Sequence, residues 1–197
     1  AVLLGSKDID LLAITTVYGD THIRSTIAMY ICELVKRSVQ TFVGESQPIS
    51  GREVWMTGLE GKNYVNLETH TPESKGAVEY LVQTINANPH AIEIIAIGPL
   101  TNIARAINSS PDFVKNVKRI WIMGGDFSQS KVEHNFKCDT TAARIVLESQ
   151  IPISILDLPN SQKTIIRMPE IDRIKDAPNL GPLLYSEIMS WIEPRNQ

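Results

Sequence analysis

Glu133 and Asn135 stand two residues apart in "VEHNFKCD", residues 132–139. In an extended chain alternate side chains project to one side. That spacing predicts Glu133 and Asn135 side by side, with His134 facing the other way. A carboxylate beside an amide offers paired acceptor and donor groups, a set suited to the vicinal hydroxyls of a sugar. The same eight residues also suit a solvated loop leading into a helix. Met123-Gly124-Gly125 closes another apolar run, where glycine permits a sharp turn or a close approach to a ligand. Gly98-Pro99 leaves the Ile97 carbonyl at the end of a third run, and carbonyl oxygens are ligands for a hard cation such as calcium. Asp20 ends "ITTVYGD" and Asp157 follows "ISIL". Each could bind a hydroxyl or a metal, or simply form a turn.

Other chemistries find no support. His22, His70, His90 and His134 are scattered without metal-ligand spacing, and neither G-x-x-x-x-G-K-[ST] nor G-x-G-x-x-G occurs. A net charge of -3 provides no general attraction for nucleic acid or acidic membrane. Two cysteines, Cys32 and Cys138, are too few for a disulfide framework or a multi-cysteine zinc cluster. No apolar run reaches the roughly 20 residues of a membrane-spanning helix. No signal peptide is visible, and a cytoplasmic location is the matching expectation.

The elements that must position these residues alternate. Ile9 to Val17, Val39 to Val43, Ile92 to Ile97, Arg119 to Met123 and Ile151 to Leu156 read as buried strands, rich in Ile, Val and Leu without strict alternation. Helical patterns fall at about 23–37, 72–87, 99–108 and 139–149. Thr71-Pro72 and Ser110-Pro111 read as helix starts, and Asp139 as an N-cap. Strands alternating with helices predict an α/β protein with an open, mostly parallel twisted sheet and helices on both faces. Ligands of such sheets bind outside the carboxyl ends of the strands, which is where Asp20, Ile97, Met123 and Asp157 fall. Gly44 to Thr69 reads as a long polar loop of the kind that often carries function. With 197 residues the chain fits one α/β domain. It opens inside an apolar run and stops just after a helical pattern, so the domain is expected to be incomplete at both ends.

Taken in order, "IDLLAITTVYGD", "IIAIGPLTNIARAI", "VKRIWIMGG", "EHNFKCDTTAARIVLES" and "IPISILDL" resemble the inosine–uridine preferring nucleoside hydrolase family. The resemblance runs from residue 1 to about 160 and fades after Pro159. It implies a Rossmann-like sheet of the nucleoside hydrolase type and hydrolysis of the N-glycosidic bond of a ribonucleoside to ribose and free base. It also implies calcium as cofactor and a homodimer or homotetramer, with no nucleic-acid or membrane partner. Carried over residue by residue, Ile97 offers its main-chain carbonyl to calcium, while Asp20, Met123, Glu133 and Asn135 contact the ribose.

Departures from the family pattern matter as much. The family's aspartate cluster, which supplies calcium ligands and the general base, belongs immediately before Ala1. Its late His-Asp pair belongs beyond Gln197. Asp20 stands where the family has Asn, Thr57-Gly58 where it has His-Gly, and His134 where it has Phe. No catalytic base is assigned within this sequence. The alternative expectation is a degenerate member that binds nucleosides or only assembles with partners.

Overall fold

The computed structural model describes residues 1–128 and 132–192. In chain order its elements are α1 (Val2–Gly5), β1 (Ala13–Thr15), α2 (Thr21–Leu34), β2 (Gln40–Phe42), a 3₁₀ turn (Leu67–Thr69), α3 (Ala77–Ala87), β3 (Glu93–Ala96), α4 (Thr101–Ser109), α5 (Pro111–Asn116), β4 (Arg119–Met123), α6 (His134–Cys138), α7 (Thr140–Glu148), β5 (Ile153–Leu156), α8 (Leu158–Ser161), α9 (Met168–Lys175) and α10 (Gly181–Ile192). All five expected strands are present and every strand pairing is parallel. The α/β architecture with helices on both faces is therefore as the sequence predicts.

The pairings divide into two ladders, β1-β2 and β3-β4-β5, rather than one continuous sheet among the described residues. β1 is shorter than the apolar run that contains it. Ile9 and Leu12 remain 38% and 46% exposed, so that end of the run has no layer to pack beneath. On β3, Ile95 is likewise 46% exposed.

One apolar core holds the larger half together. Leu81 and Ile85 of α3, Ile103 and Ala104 of α4, Phe113 of α5, Ile120 and Ile122 of β4, and Ala142 and Val146 of α7 are buried together. The alanines let α4 and α7 approach closely, since Ala104 and Ala142 are both fully buried. Burial of this apolar area is the main stabilising term, at roughly 25 cal/mol per Å².

Two helix starts differ from expectation. α3 begins at Ala77 with Gly76 as its N-cap, five residues after Thr71-Pro72. The reason is visible upstream: Glu73 N–H donates to the Thr41 carbonyl and Phe42 bridges to Glu73, so that segment is pinned beside β2. The second difference is α6. Residues expected to be extended form a helical turn with Glu133 as N-cap. Ser110 and Asp139 do cap α5 and α7, as the sequence predicts.

Candidate functional site

Residues following parallel strands emerge on the same side. Here those are Tyr18 and Gly19 after β1, Gly44 after β2, Ile97 and Gly98 after β3, Met123 to Gly125 after β4, and Asp157 after β5. Asn102 ties several of them together. Its Nδ2 donates to the Thr16 carbonyl at 2.8 Å, and its Oδ1 accepts from Glu45 N–H at 2.9 Å. Gly44 lies against this bridge so closely that a Cβ would collide with the Thr16 carbonyl and the Asn102 amide. The "PLTN" stretch thus joins β1 to the start of α4.

Met123, Glu133 and Asn135 are brought together. The Glu133 carboxylate, 4% exposed, accepts from Asn135 N–H at 2.8 Å through Oε1, and from Gly125 and Phe136 N–H at 3.0 Å each through Oε2. Asn135 Nδ2 donates to the Met123 carbonyl at 3.0 Å. Gly124 and Gly125 serve this knot. A Cβ on Gly124 would lie 2.5 Å from Phe136 Cε1, and Gly125 takes a φ of +77°, the left-handed region that favours glycine.

The expected geometry of this stretch is corrected accordingly. Because residues 134–138 are helical, Glu133 and Asn135 do not alternate along a strand. Glu133 has become a cap, and the Asn135 amide nitrogen is used internally. Asn135 Oδ1 makes no hydrogen bond among the described residues, and a carboxylate has about four acceptor positions, of which Glu133 uses three. What the knot offers outward is acceptors, not an acceptor–donor pair.

Neither Asp20 nor Ile97 hydrogen-bonds to this knot among the described residues. Asp20 caps α2, with Oδ1 accepting from Ile23 N–H at 2.9 Å. Asp157 caps α8 in the same way, accepting from Asn160 N–H. Ile97 is 75% exposed and lines a cavity of about 230 Å³ with Thr15, Val17, Arg24 and Asn102. Its carbonyl accepts no hydrogen bond among the described residues. Calcium, however, requires several oxygen ligands with carboxylates among them. Among the described residues no cluster of three or more His, Cys, Asp or Glu could hold a metal. Arg24, a cation, shares the cavity and donates to the Val17 carbonyl and to Glu60. Burial alone would raise the Glu60 carboxyl, but hydrogen bonds from its own backbone amide, Thr57 and Arg24 hold it below its ordinary range. One carbonyl beside a guanidinium does not make a calcium site.

Residues to which the sequence assigned no site role organise the rest. Asp139 is fully buried and accepts four hydrogen bonds: Ile49 N–H (2.7 Å), Ser50 N–H (3.1 Å), Thr101 Oγ1 (2.7 Å) and Ala142 N–H (3.1 Å). It anchors the long 44–69 loop to the starts of α4 and α7. Farther along that loop, Trp55 N–H donates to the Tyr18 hydroxyl at 3.0 Å, and the 60% exposed Trp55 ring meets His134 edge to face at 5.8 Å. Tyr18 holds a left-handed φ of 68°, unusual for an aromatic residue. Burial, with a hydrogen bond to Cys138, pushes its phenol above the ordinary value. Only the polarity of the 44–69 loop hinted at these contacts, since their partners are distant in sequence.

A parallel α/β fold with a polar knot beyond the carboxyl ends of its strands places the chain in the class of open parallel-sheet proteins, whose ligands bind at that edge. The family model described as inosine-uridine preferring nucleoside hydrolase matches residues 1–196, and the chain belongs to that family. The pyrimidine-specific ribonucleoside hydrolase RihB of Escherichia coli K12 is 30% identical over 205 residues, covering 97% of this chain and 65% of its own length. The chain thus spans about two thirds of the length of the curated relatives it matches. Among solved structures, a plant nucleoside hydrolase, PpNRh1, superposes with a TM-score of 0.81 at 25% identity, covering 93% of this chain and 63% of its own. A purine-preferring ribonucleoside hydrolase from Gardnerella vaginalis has the same TM-score at 22% identity, covering 92% and 63%, and shows the shared fold. No helix among the described residues is long and apolar enough to cross a membrane.

Proposed function

We propose that this protein serves the hydrolysis of ribonucleosides to ribose and free base, and that the residues of this chain hold the ribose. The observation that carries the reading is the Met123–Glu133–Asn135 knot, which is closed on its donor side and keeps the Asn135 Oδ1 acceptor. Sugar hydroxyls are donors of matching kind. A knot braced by three backbone amides is also rigid, and acceptors held in place favour an oxocarbenium-like ribose electrostatically without reorganising. Asp20 and the Ile97 carbonyl belong to the same reading as further contacts to the ribose and to a calcium ion. Calcium, when bound, would activate water, yet its carboxylate ligands are not found among the described residues. The homodimer or homotetramer belongs to the same reading and rests on family resemblance alone.

The alternative, a member that binds without turning over, is favoured by one observation: Arg24 lines the cavity in which Ile97 is exposed. Two measurements decide. Titration calorimetry with ribose should show binding that Asn135→Ala weakens about fivefold, as expected for loss of one hydrogen bond of ~1 kcal/mol. Ribose release from inosine and uridine in millimolar calcium should stay at background for the 197-residue chain, since water activation requires a cluster of carboxylates that is not found among the described residues. Ribose binding unaffected by Asn135→Ala would refute the ribose assignment. Clear turnover by the chain would refute both the binding-only alternative and the metal-site argument.

A further inference from the structure

The two ladders leave one edge of β1 and one edge of β3 unpaired on either side of a single cavity. Backbone N–H and C=O groups of successive strand residues point to opposite edges. On β1, Thr16 N–H donates to the Phe42 carbonyl and Tyr18 N–H to the Glu45 carbonyl, so Ile14 and Thr16 face β2. Ala13, Thr15 and Val17 therefore face away from it. On β3, the Ile92 carbonyl accepts from Lys118 N–H, so Ile92, Ile94 and Ala96 face β4. Glu93, Ile95 and Ile97 point outward. Among the described residues one of these outward backbone groups is hydrogen-bonded, the Val17 carbonyl, which accepts from Arg24 at 3.1 Å. Thr15 to Val17 line one side of the cavity and Ile94 to Gly98 the other, with Leu81 and Ile103 as an apolar floor. A Cβ on Gly98 would lie 3.3 Å from Val17 Cγ1, so the carboxyl ends of the two strands stand side by side.

We infer that this cavity is an acceptor slot for one added β-strand, an extended apolar peptide segment of about five residues that pairs with β1 on one side and β3 on the other. The occupant is a strand because both walls present alternating N–H and C=O groups, and a backbone group buried without a partner is costly. A helix would satisfy neither wall, and the edge of a neighbouring sheet only one. The added strand runs parallel, as every pairing in the sheet does. Its side chains over Leu81 and Ile103 are apolar, to match that floor. The order then becomes β2, β1, added strand, β3, β4, β5, a continuous doubly wound sheet. The carboxyl end of the strand arrives beside Val17 and Ile97, at the edge where ligands of such sheets bind, and supplies a wall of that crevice. The slot does not depend on the ribose reading, and its test uses no nucleoside.

The probe is the peptide Lys-Val-Thr-Val-Thr-Val-Lys, acetylated and amidated, with valines for the apolar floor and threonines for the other side. Its binding to the 197-residue chain should slow amide hydrogen exchange at Thr15, Ile95 and Ile97 by about tenfold or more. Ile94 and Ile120, already paired within the sheet, should not change. N-methylation of alternate peptide amides removes the bonds to one ladder and keeps every side chain. Either set should weaken binding by about tenfold or more. Ile95→Pro removes an N–H that serves no bond in the chain alone, so the fold should survive, checked by circular dichroism, while peptide binding is lost. The N-methylated peptides test the same pairing without altering the protein. Unchanged exchange at saturating peptide would overturn the inference, as would binding indifferent to N-methylation. Protection that grows with the concentration of the chain, without peptide, would make a second copy the occupant and overturn it as well.

Discussion

Asp139 allows the sharpest calculation. Asp139→Ala removes a fully buried carboxylate and strands four donors, on Ile49, Ser50, Thr101 and Ala142. A buried donor left unpaired costs about 1–3 kcal/mol. Water entering the vacated space offsets part of the total, leaving a loss of about 4 kcal/mol, near the upper end for single substitutions. Asp20→Ala supplies the internal control, because Asp20 is exposed and makes one capping hydrogen bond, worth ~1 kcal/mol. Urea unfolding followed by tryptophan fluorescence measures both. With a slope of about 2 kcal/mol per molar, the midpoint should fall by about 2 M for Asp139→Ala and about 0.5 M for Asp20→Ala. Asp139→Asn should fall between them, since an amide turns one acceptor oxygen into a donor facing other donors. If Asp139→Ala shifts the midpoint no more than Asp20→Ala, the claim that this carboxylate anchors the 44–69 loop is refuted.

Other outcomes follow from the same contacts. Gly44→Ala should destabilise by more than about 2 kcal/mol, because its Cβ meets a backbone carbonyl and a buried amide that cannot yield. Gly51→Ala has open space and only its φ of +68° against it, so a loss nearer 1 kcal/mol is expected from the same denaturation assay. Glu133→Gln should cost roughly 2 kcal/mol in thermal unfolding, since an amide cannot accept from three N–H groups as a carboxylate does. A Glu133 that served only a ligand would show no such loss. Burial, then the nearby Glu187 and Tyr30, pushes the Tyr64 phenol up to about 12. The folded state therefore prefers the neutral phenol: its contribution is complete below pH 10 and lost as pH rises toward 12. Partial exposure limits that contribution to about 1–2 kcal/mol, and Tyr64→Phe should flatten the stability profile across this window.

Much of the molecule is written in local patterns. Unalternated Ile, Val and Leu runs marked all five strands, although Ile95 of β3 and Trp121 of β4 stay about half exposed, so burial on both faces is not complete. Ser110 before Pro111, and Asp139 before "TTAARIV", announced their helices, because a cap and the amides it satisfies lie within three residues. Met123, Glu133 and Asn135 could be singled out for the same reason: strand ends and nearby polar pairs are sequence-local features. What those polar groups touch is not local. Glu133 reads as a free carboxylate until Gly125 N–H, eight residues away, occupies it, while its caps on Asn135 and Phe136 N–H start the 134–138 helix. Asn102 reads as part of a turn until it meets Thr16, 86 residues earlier, and Asp139 as a plain cap until Ile49, 90 residues earlier, donates to it. Local hydrogen bonding and hydrophobic period determined the elements and their order. Only the tertiary packing decided which buried polar group found which partner, because an unpaired one costs too much to leave and its partner lies wherever the fold brings the chain back.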